Sequence, residues 1–161
     1  MTNTLNLQTQ LQSVLVQPGS VPELHAFGDV LSVLVAGEHT GNALTVMYDV
    51  TPPGGGPPLH RHSREDEFFL VVEGRISYFV DDVWTEIGPG GAVYFPRGTA
   101  HHYKNVGDTP SAHWILTSPS GFEHFFAECA EEFAKPGGPD MQRIVEIHQK
   151  YGIELLGAPP A

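Results

Sequence analysis

The side chains in this chain best equipped for chemistry fall in two stretches, Gly54-x5-His60-x-His62-x4-Glu67-x6-Gly74 and Gly90-x5-Pro96-x-Gly98-x2-His101-x3-Asn105. Three imidazoles and one carboxylate offer neutral nitrogen and anionic oxygen donors, a set that suits Fe, Mn, Ni, Co, Cu or Zn. No pair of cysteines is available for a thiolate zinc knot. His60 and His62 are two residues apart, so on an extended strand both side chains leave the same face. Glu67 follows a short polar turn, and His101 must come from a later strand lying beside the first two histidines. Bringing all four to one ion requires a sheet that closes on itself.

The segments that must do this positioning read as strands. From Leu31 onward, short apolar or alternating runs are punctuated by glycine and proline, an all-β pattern. Strands are expected near Val30–Ala36, Leu44–Val50, His60–His62, Glu67–Glu73, Arg75–Val80, Val83–Ile87, Ala92–Phe95, His101–Asn105 and Ala112–Thr117. Between them, Thr51 to Pro58 (TPPGGGPP) is a loop that delivers the chain to His60, since its prolines cannot sit in a central strand. Glu73-Gly74, Asp81-Asp82 and Gly88 to Gly91 are turn sequences. Many short strands at this spacing predict a sandwich or small barrel.

Strand parity then sorts the side chains. If Glu67 points inward, Phe69 and Val71 do too, while Phe68 and Leu70 face out; Tyr103 shares a side with His101, and His102 takes the other. Phe69, Val71 and Tyr103 are therefore the expected walls of a substrate cavity. His113 can face either way, depending on register. Arg64, Glu65 and Asp66 read as a solvated turn, and Asn105 as a residue that holds a turn. His25, His39, His124 and His148 are explained by surface or helix positions.

The C-terminal part changes period. Ser120-Gly121-Phe122-Glu123 has the form of a capping box, and Phe122, Phe125, Phe126, Cys129 and Phe133 fall at helical spacing on one apolar face. A helix lying on the barrel, as packing or as a lid, is expected here. Lys135 to Pro139 ends it, and Asp140 can cap a second short helix over Met141–Tyr151 that Gly152 stops. The chain thus divides into an N-terminal arm over residues 1–23, a barrel over 24–118 and a helical segment over 119–161 packed on the barrel.

Position for position, the two histidine-bearing stretches resemble the paired signature motifs of the cupin superfamily. Within it, the chain is similar to single-domain quercetin dioxygenase-like cupins. The segments Ala26-Phe27-Gly28-Asp29-Val30, Ala36-Gly37-Glu38 and Ser118 to Phe126 share that likeness, which spans residues 24–133. The resemblance implies a double-stranded β-helix, also called a cupin or jelly-roll barrel, with short C-terminal helices. It also implies a metal held by His60, His62, His101 and Glu67, with Glu67 deprotonating a flavonol hydroxyl before oxygen attack. The expected activity is a metal-dependent dioxygenase acting on a flavonol-like or other enolised aromatic molecule, with dioxygen as second substrate. Two alternatives stay open: a metal-dependent isomerase or cyclase on a keto or polyketide-like substrate, and a non-catalytic small-molecule-binding cupin. Oxygen uptake separates the first from the others.

Composition bounds the partners. At 161 residues the chain can bury one real core. Eight basic against 19 acidic side chains give a formal charge of −11, which disfavours nucleic acid and anionic membranes as partners. Cys129 is the single cysteine, so an intramolecular disulfide is excluded and a cytoplasmic setting is expected. Met1 to Gln17 lacks the basic and continuous apolar regions of a secretory signal. The apolar residues of Leu11 to Val21 and Leu31–Val35 would suit sheet packing between two copies, so a homodimer is expected.

Overall fold

The computed structural model describes residues 11–157; the first ten residues of the expected arm and the last four of the chain lie outside the described residues. In chain order the elements are β1 (Glu23–Ala26), β2 (Asp29–Val35), α1 (Gly37–Thr40), β3 (Thr45–Thr51), β4 (Leu59–His62), β5 (Asp66–Glu73), β6 (Ile76–Val80), β7 (Val83–Ile87), β8 (Ala92–Phe95), β9 (His101–Asn105), β10 (Ser111–Ser118), α2 (Phe122–Phe133), α3 (Met141–Lys150) and β11 (Ile153–Gly157). Two antiparallel sheets face each other. One runs β1-β2-β3-β10-β5-β8 and the other β11-β4-β9-β6-β7. This is the all-β double-stranded β-helix anticipated from the sequence, and every strand expected there is present within about two residues.

Alternation builds the interior. Along β3 every second residue from Thr45 to Thr51 is buried, and along β5 Glu67, Phe69 and Val71 are buried while Leu70 and Val72 are exposed. The inner faces meet around Met47, Phe69, Tyr78, Phe95, Tyr103 and Ile115. Asp81 and Asp82 both take positive φ (50° and 62°) in the tight turn that joins β6 to β7, a conformation acidic and amide side chains tolerate better than most.

The proline- and glycine-rich loop before β4 is tied to β9 by the backbone bonds Gly54 N–H to Asn105 O and Asn105 N–H to Gly55 O. Gly56, at φ +143°, runs so close to β9 that a Cβ there would stand 2.0 Å from the Tyr103 carbonyl oxygen. Asn105 holds its turn as anticipated: its amide nitrogen donates to the Thr51 and Thr109 carbonyls and its side-chain oxygen accepts from Gly107 N–H.

The helices cover one end of the barrel. In α2, Phe122, Phe125 and Cys129 are buried, each phenylalanine contributing roughly 1.5–3 kcal/mol by leaving water. The expected capping box is not formed: the N-cap is Gly121 with no side-chain cap. Glu123 instead reaches across to the barrel, accepting from Gly37 N–H (2.8 Å), the Thr45 hydroxyl (2.5 Å) and Gly121 N–H (2.7 Å). Asp140 does cap α3, accepting from Gln142 and Arg143 N–H.

Two strands were not expected. β1 pairs with β2 across the Phe27-Gly28 turn, and β11 adds to the edge of β4. Leu11 to Val21, expected to suit sheet packing between two copies, form no strand. No described helix is long and apolar enough to cross a membrane.

Candidate metal centre

His60 and His62 leave the buried face of β4, and His101, directly paired with His60, leaves the neighbouring β9. Glu67 comes from β5 in the opposite sheet. Two sheets therefore contribute to one cluster. One donor atom from each of the four lies within 4.8 Å of all the others, and all four residues are buried. Glu67 Oε2 stands 2.8 Å from His101 Nε2 and 3.4 Å from His62 Nε2.

The hydrogen bonding around the cluster fixes which nitrogens face inward. His60 Nδ1 lies 2.9 Å from the Pro58 carbonyl oxygen and His101 Nδ1 3.0 Å from that of Thr99. A carbonyl only accepts, so each Nδ1 carries the proton and each Nε2 presents a lone pair. His62 Nδ1 is approached by Glu65 Oε2 at 3.5 Å, an electrostatic contact with no aligned hydrogen bond, on the side where a carboxylate can orient a metal-ligating imidazole.

His62 Nε2, His101 Nε2 and Glu67 Oε2 are buried without a hydrogen-bond partner. The 2.8 Å approach of His101 to Glu67 is thus close but not aligned as a hydrogen bond, the geometry of two lone pairs aimed at a common point. Uncompensated, such buried polar atoms are destabilising by ~1–3 kcal/mol each; a divalent cation satisfies them together. The donor set fits a first-row transition ion.

Electrostatics hold His60 and Glu67 in their ligating forms and pull His62 the other way. Burial, reinforced by the neighbouring His101 and His62, pushes the pKa of His60 well below its ordinary value. Burial also opposes ionisation of Glu67, but His62, His101 and His60 together outweigh it and draw the carboxyl down to about 2. For His62, burial works against protonation while Glu67 and Glu65 more than offset it and raise the pKa.

Packing holds the rings. Phe95 stacks on His101 (4.3 Å between centroids, 16°) and Phe122 of α2 meets His62 edge-on at 4.7 Å. A cavity of about 50 Å³ adjoins the cluster, walled by Phe27, Phe69, Tyr103, Phe122, Phe125 and Phe126. Of the expected cavity residues, Phe69 and Tyr103 line it; Val71 is buried on the same side but does not reach it. His102 faces away, packed edge-on against Trp84.

Several residues play parts the sequence did not reveal. Glu65 is buried against His62 and Asp66 pairs with Arg97, so the turn expected to be solvated is largely engaged. His148 of α3 is buried, lines the cavity and bonds through Nδ1 to the Ile144 carbonyl. His113 faces inward, wholly buried, between Asp49 (3.1 Å) and the Tyr78 hydroxyl (3.0 Å). Asp29 also lines the cavity.

Residues 47–118, which carry all four clustered side chains, match the family model of a cupin domain. The chain carries a cupin domain. Among known proteins, this cupin is similar to germin-like protein 2-4 of Oryza sativa subsp. japonica, 34% identical over 109 residues covering 65% of this chain and 42% of the relative. It is similar to the quercetin 2,3-dioxygenase of Bacillus subtilis, 27% identical over 133 residues covering 80% of this chain and 39% of that enzyme. The cupin spans less than half the length of either of these relatives. In fold it resembles a solved structure from Thermotoga maritima described as a predicted oxalate decarboxylase, with TM-score 0.62 and 18% identity over 66% of this chain and 99% of that one. It likewise resembles the polyketide cyclase RemF of Streptomyces resistomycificus, with TM-score 0.59 and 20% identity over 68% and 81%.

Proposed function

We propose that this cupin is a metal-dependent dioxygenase acting on a flavonol-like or other enolised aromatic small molecule. The observation that carries the reading is the convergence of His60, His62, Glu67 and His101 donor atoms beside an aromatic-walled cavity. The likeness to a quercetin 2,3-dioxygenase over most of the chain supports it. One divalent transition ion, Fe, Mn, Ni, Co, Cu or Zn, held by these four residues supplies Lewis acidity and, for the redox-active members, chemistry with dioxygen.

The chain's own residues do the rest. Glu67, catalytic in this reading, is the one anionic oxygen donor in the cluster and accepts the proton of a substrate hydroxyl acidified at the centre. The Pro58 and Thr99 carbonyls hold His60 and His101 in place, and Phe122 packs against His62. The phenylalanine wall excludes water and offers flat faces to a planar ligand. A cavity of about 50 Å³ accommodates a few water-sized groups, whereas sites for molecules of flavonol size are on the order of 300 Å³ or more. A flavonol therefore enters only as α2 shifts its phenylalanines.

That same small volume favours a second reading, a Lewis-acid isomerase or cyclase on a smaller keto substrate. The deciding experiment is anaerobic purification, loading with each metal in turn, and oxygen-electrode assay against a flavonol panel for wild type and Glu67→Gln. Oxygen uptake with flavonol loss in wild type, reduced at least about 100-fold in Glu67→Gln, is the expected result. No uptake by any metal form removes the dioxygenase reading, and full turnover in Glu67→Gln removes Glu67 as proton acceptor.

The protein is further read as a homodimer paired through the outer face of the six-stranded sheet, where Leu70, Val72 and Tyr94 are 37%, 42% and 57% exposed. A buried free thiol, Cys129, fits the cytoplasmic expectation.

A further inference from the structure

One tier along the barrel from the metal centre lies a second polar group. Tyr103 follows His101 by two residues on the same face of β9, and its hydroxyl lies 3.3 Å from Asp49 Oδ2 and 3.5 Å from Asp29 Oδ2. Asp49 Oδ2 also accepts from the Thr51 hydroxyl at 2.9 Å and meets His113 Nε2 at 3.1 Å. With Tyr78 donating to His113 Nδ1, His113 carries its proton on Nε2 and donates to Asp49. Asp49 thus gathers three donors on one oxygen.

Asp29 stands differently. It is 6% exposed and, unlike Asp49, lines the cavity; its Oδ1, like that of Asp49, is buried with no hydrogen-bond partner among the described residues. A second buried carboxylate facing the same Tyr103 hydroxyl as Asp49 is disfavoured as an anion. Burial first, and the charge of Asp49 second, push its pKa up to about 8 against the lowering effect of the nearby Thr51 and Tyr103 hydroxyls. Near neutral pH it is a carboxylic acid, able to donate one hydrogen bond and accept others.

We propose that Asp29 is the second anchor of the cavity, hydrogen-bonding a hydroxyl or carbonyl oxygen of the bound small molecule away from its metal-held end. This rests on the small-molecule chemistry proposed for the metal centre and narrows its substrate class. The ligand has a chelating oxygen at one end, an apolar or aromatic middle against Phe27, Phe69 and Phe125, and a polar group at the other end. An unpartnered buried carboxyl oxygen is otherwise destabilising by ~1–3 kcal/mol, which a ligand oxygen removes. Asp49, with Thr51 and His113, acts as a positioning residue that keeps Asp29 neutral and aimed. Other titratable groups facing Asp29 are Tyr103, His148 of α3 and the metal-centre residues His60, His62 and Glu67 around the same cavity and, across a surface depression between β1 and α2 that Asp29 also borders, Glu23 and His25.

The test uses the full-length protein loaded with cobalt under anaerobic conditions, titrated spectroscopically with two probes. Quercetin carries ring hydroxyls beyond its chelating unit; 3-hydroxyflavone carries the chelating unit alone. Asp29→Ala is expected to weaken quercetin about tenfold or more and leave 3-hydroxyflavone within about twofold, with metal content unchanged; Asp29→Asn, which keeps a neutral hydrogen-bonding group, stays near wild type at pH 7. As the pH rises past about 8, wild type loses quercetin affinity relative to Asp29→Asn, because only wild type acquires a charge there. That ratio decides the matter even if Asp29→Ala does not fold. Equal losses for both probes, or a ratio flat with pH, overturn the proposal. If neither probe binds wild type, the flavonol reading fails, and Asp29 is judged by infrared difference spectra of wild type against Asp29→Asn. A protonated-carboxyl band at pH 7 supports a neutral anchor, and a carboxylate band overturns it.

Discussion

Glu123 joins the helical cover to the barrel, and removing its carboxylate is a direct trial of how the site is closed. The side chain is 6% exposed and receives three donors from separate parts of the chain, Gly37 N–H, Thr45 Oγ1–H and Gly121 N–H. Hydrogen bonds to an ionised group contribute about 1.5–3 kcal/mol each. Gly121 sits at a helix end and Gly37 in a one-turn helix, where water can replace part of what is lost, so Glu123→Ala should destabilise by about 3–4 kcal/mol in total. Glu123→Gln is not mild either. One amide nitrogen must face Gly37 N–H or the Gly121 and Thr45 donors, setting donor against donor, for a loss of about 2 kcal/mol.

The effect has a pH signature. Burial opposes ionisation of Glu123, but the Thr45, Gly37 and Gly121 donors together hold its pKa below the ordinary value. A depressed folded pKa stabilises above the unfolded value, about 4.3, and the benefit is lost as pH falls through the folded value. The stability gap between wild type and Glu123→Gln should therefore be full at pH 7 and shrink below about pH 4. Urea unfolding at a series of pH values measures it. A gap under about 0.5 kcal/mol at pH 7, or one that grows in acid, would refute the reasoning.

Three further outcomes follow from the same geometry. Gly56→Ala forces a Cβ to within 2.0 Å of the Tyr103 carbonyl and out of a permitted φ; a loss of at least about 2 kcal/mol in chemical denaturation is expected, and a neutral result would mean that the loop does not lie against β9. Tyr94→Glu on the outer face of the six-stranded sheet should shift the protein to monomer in sedimentation equilibrium with its melting temperature nearly unchanged; an unaltered oligomeric state removes that face as the interface. Added divalent nickel or cobalt at 100 times its dissociation constant should stabilise wild type by about 2.7 kcal/mol and leave His62→Ala unmoved, read by thermal melting.

What was legible in the sequence follows the range of the interactions involved. The strands of the central barrel could be read because one face is buried and the pattern alternates, as along Thr45–Thr51, and parity then sent Phe69 and Tyr103 inward and His102 outward. β11 carried no such pattern: only Ile153 is buried, and its strand character comes from pairing with the edge of β4, a contact made across about ninety residues. The Ser120–Glu123 spacing misled for the same reason. A carboxylate three residues after a serine has the local form of a capping box, yet Glu123 found stronger donors in Gly37 and Thr45, which only the folded chain brings near. His113 could not be oriented because its register against β3 and β5 is a tertiary matter, and Asp29 carried no motif at all. Glu65 looked like a solvated turn residue because nothing local shows that β4 and its turn fold it under His62.

X-ray absorption at the metal edge of the loaded protein tests the central claim most directly. One ion per chain is expected, in a shell of three imidazole nitrogens and at least one carboxylate oxygen without sulfur, falling to two imidazoles in His101→Ala. Failure to bind any first-row divalent ion stoichiometrically, or an imidazole count that His101→Ala leaves unchanged, would contradict it.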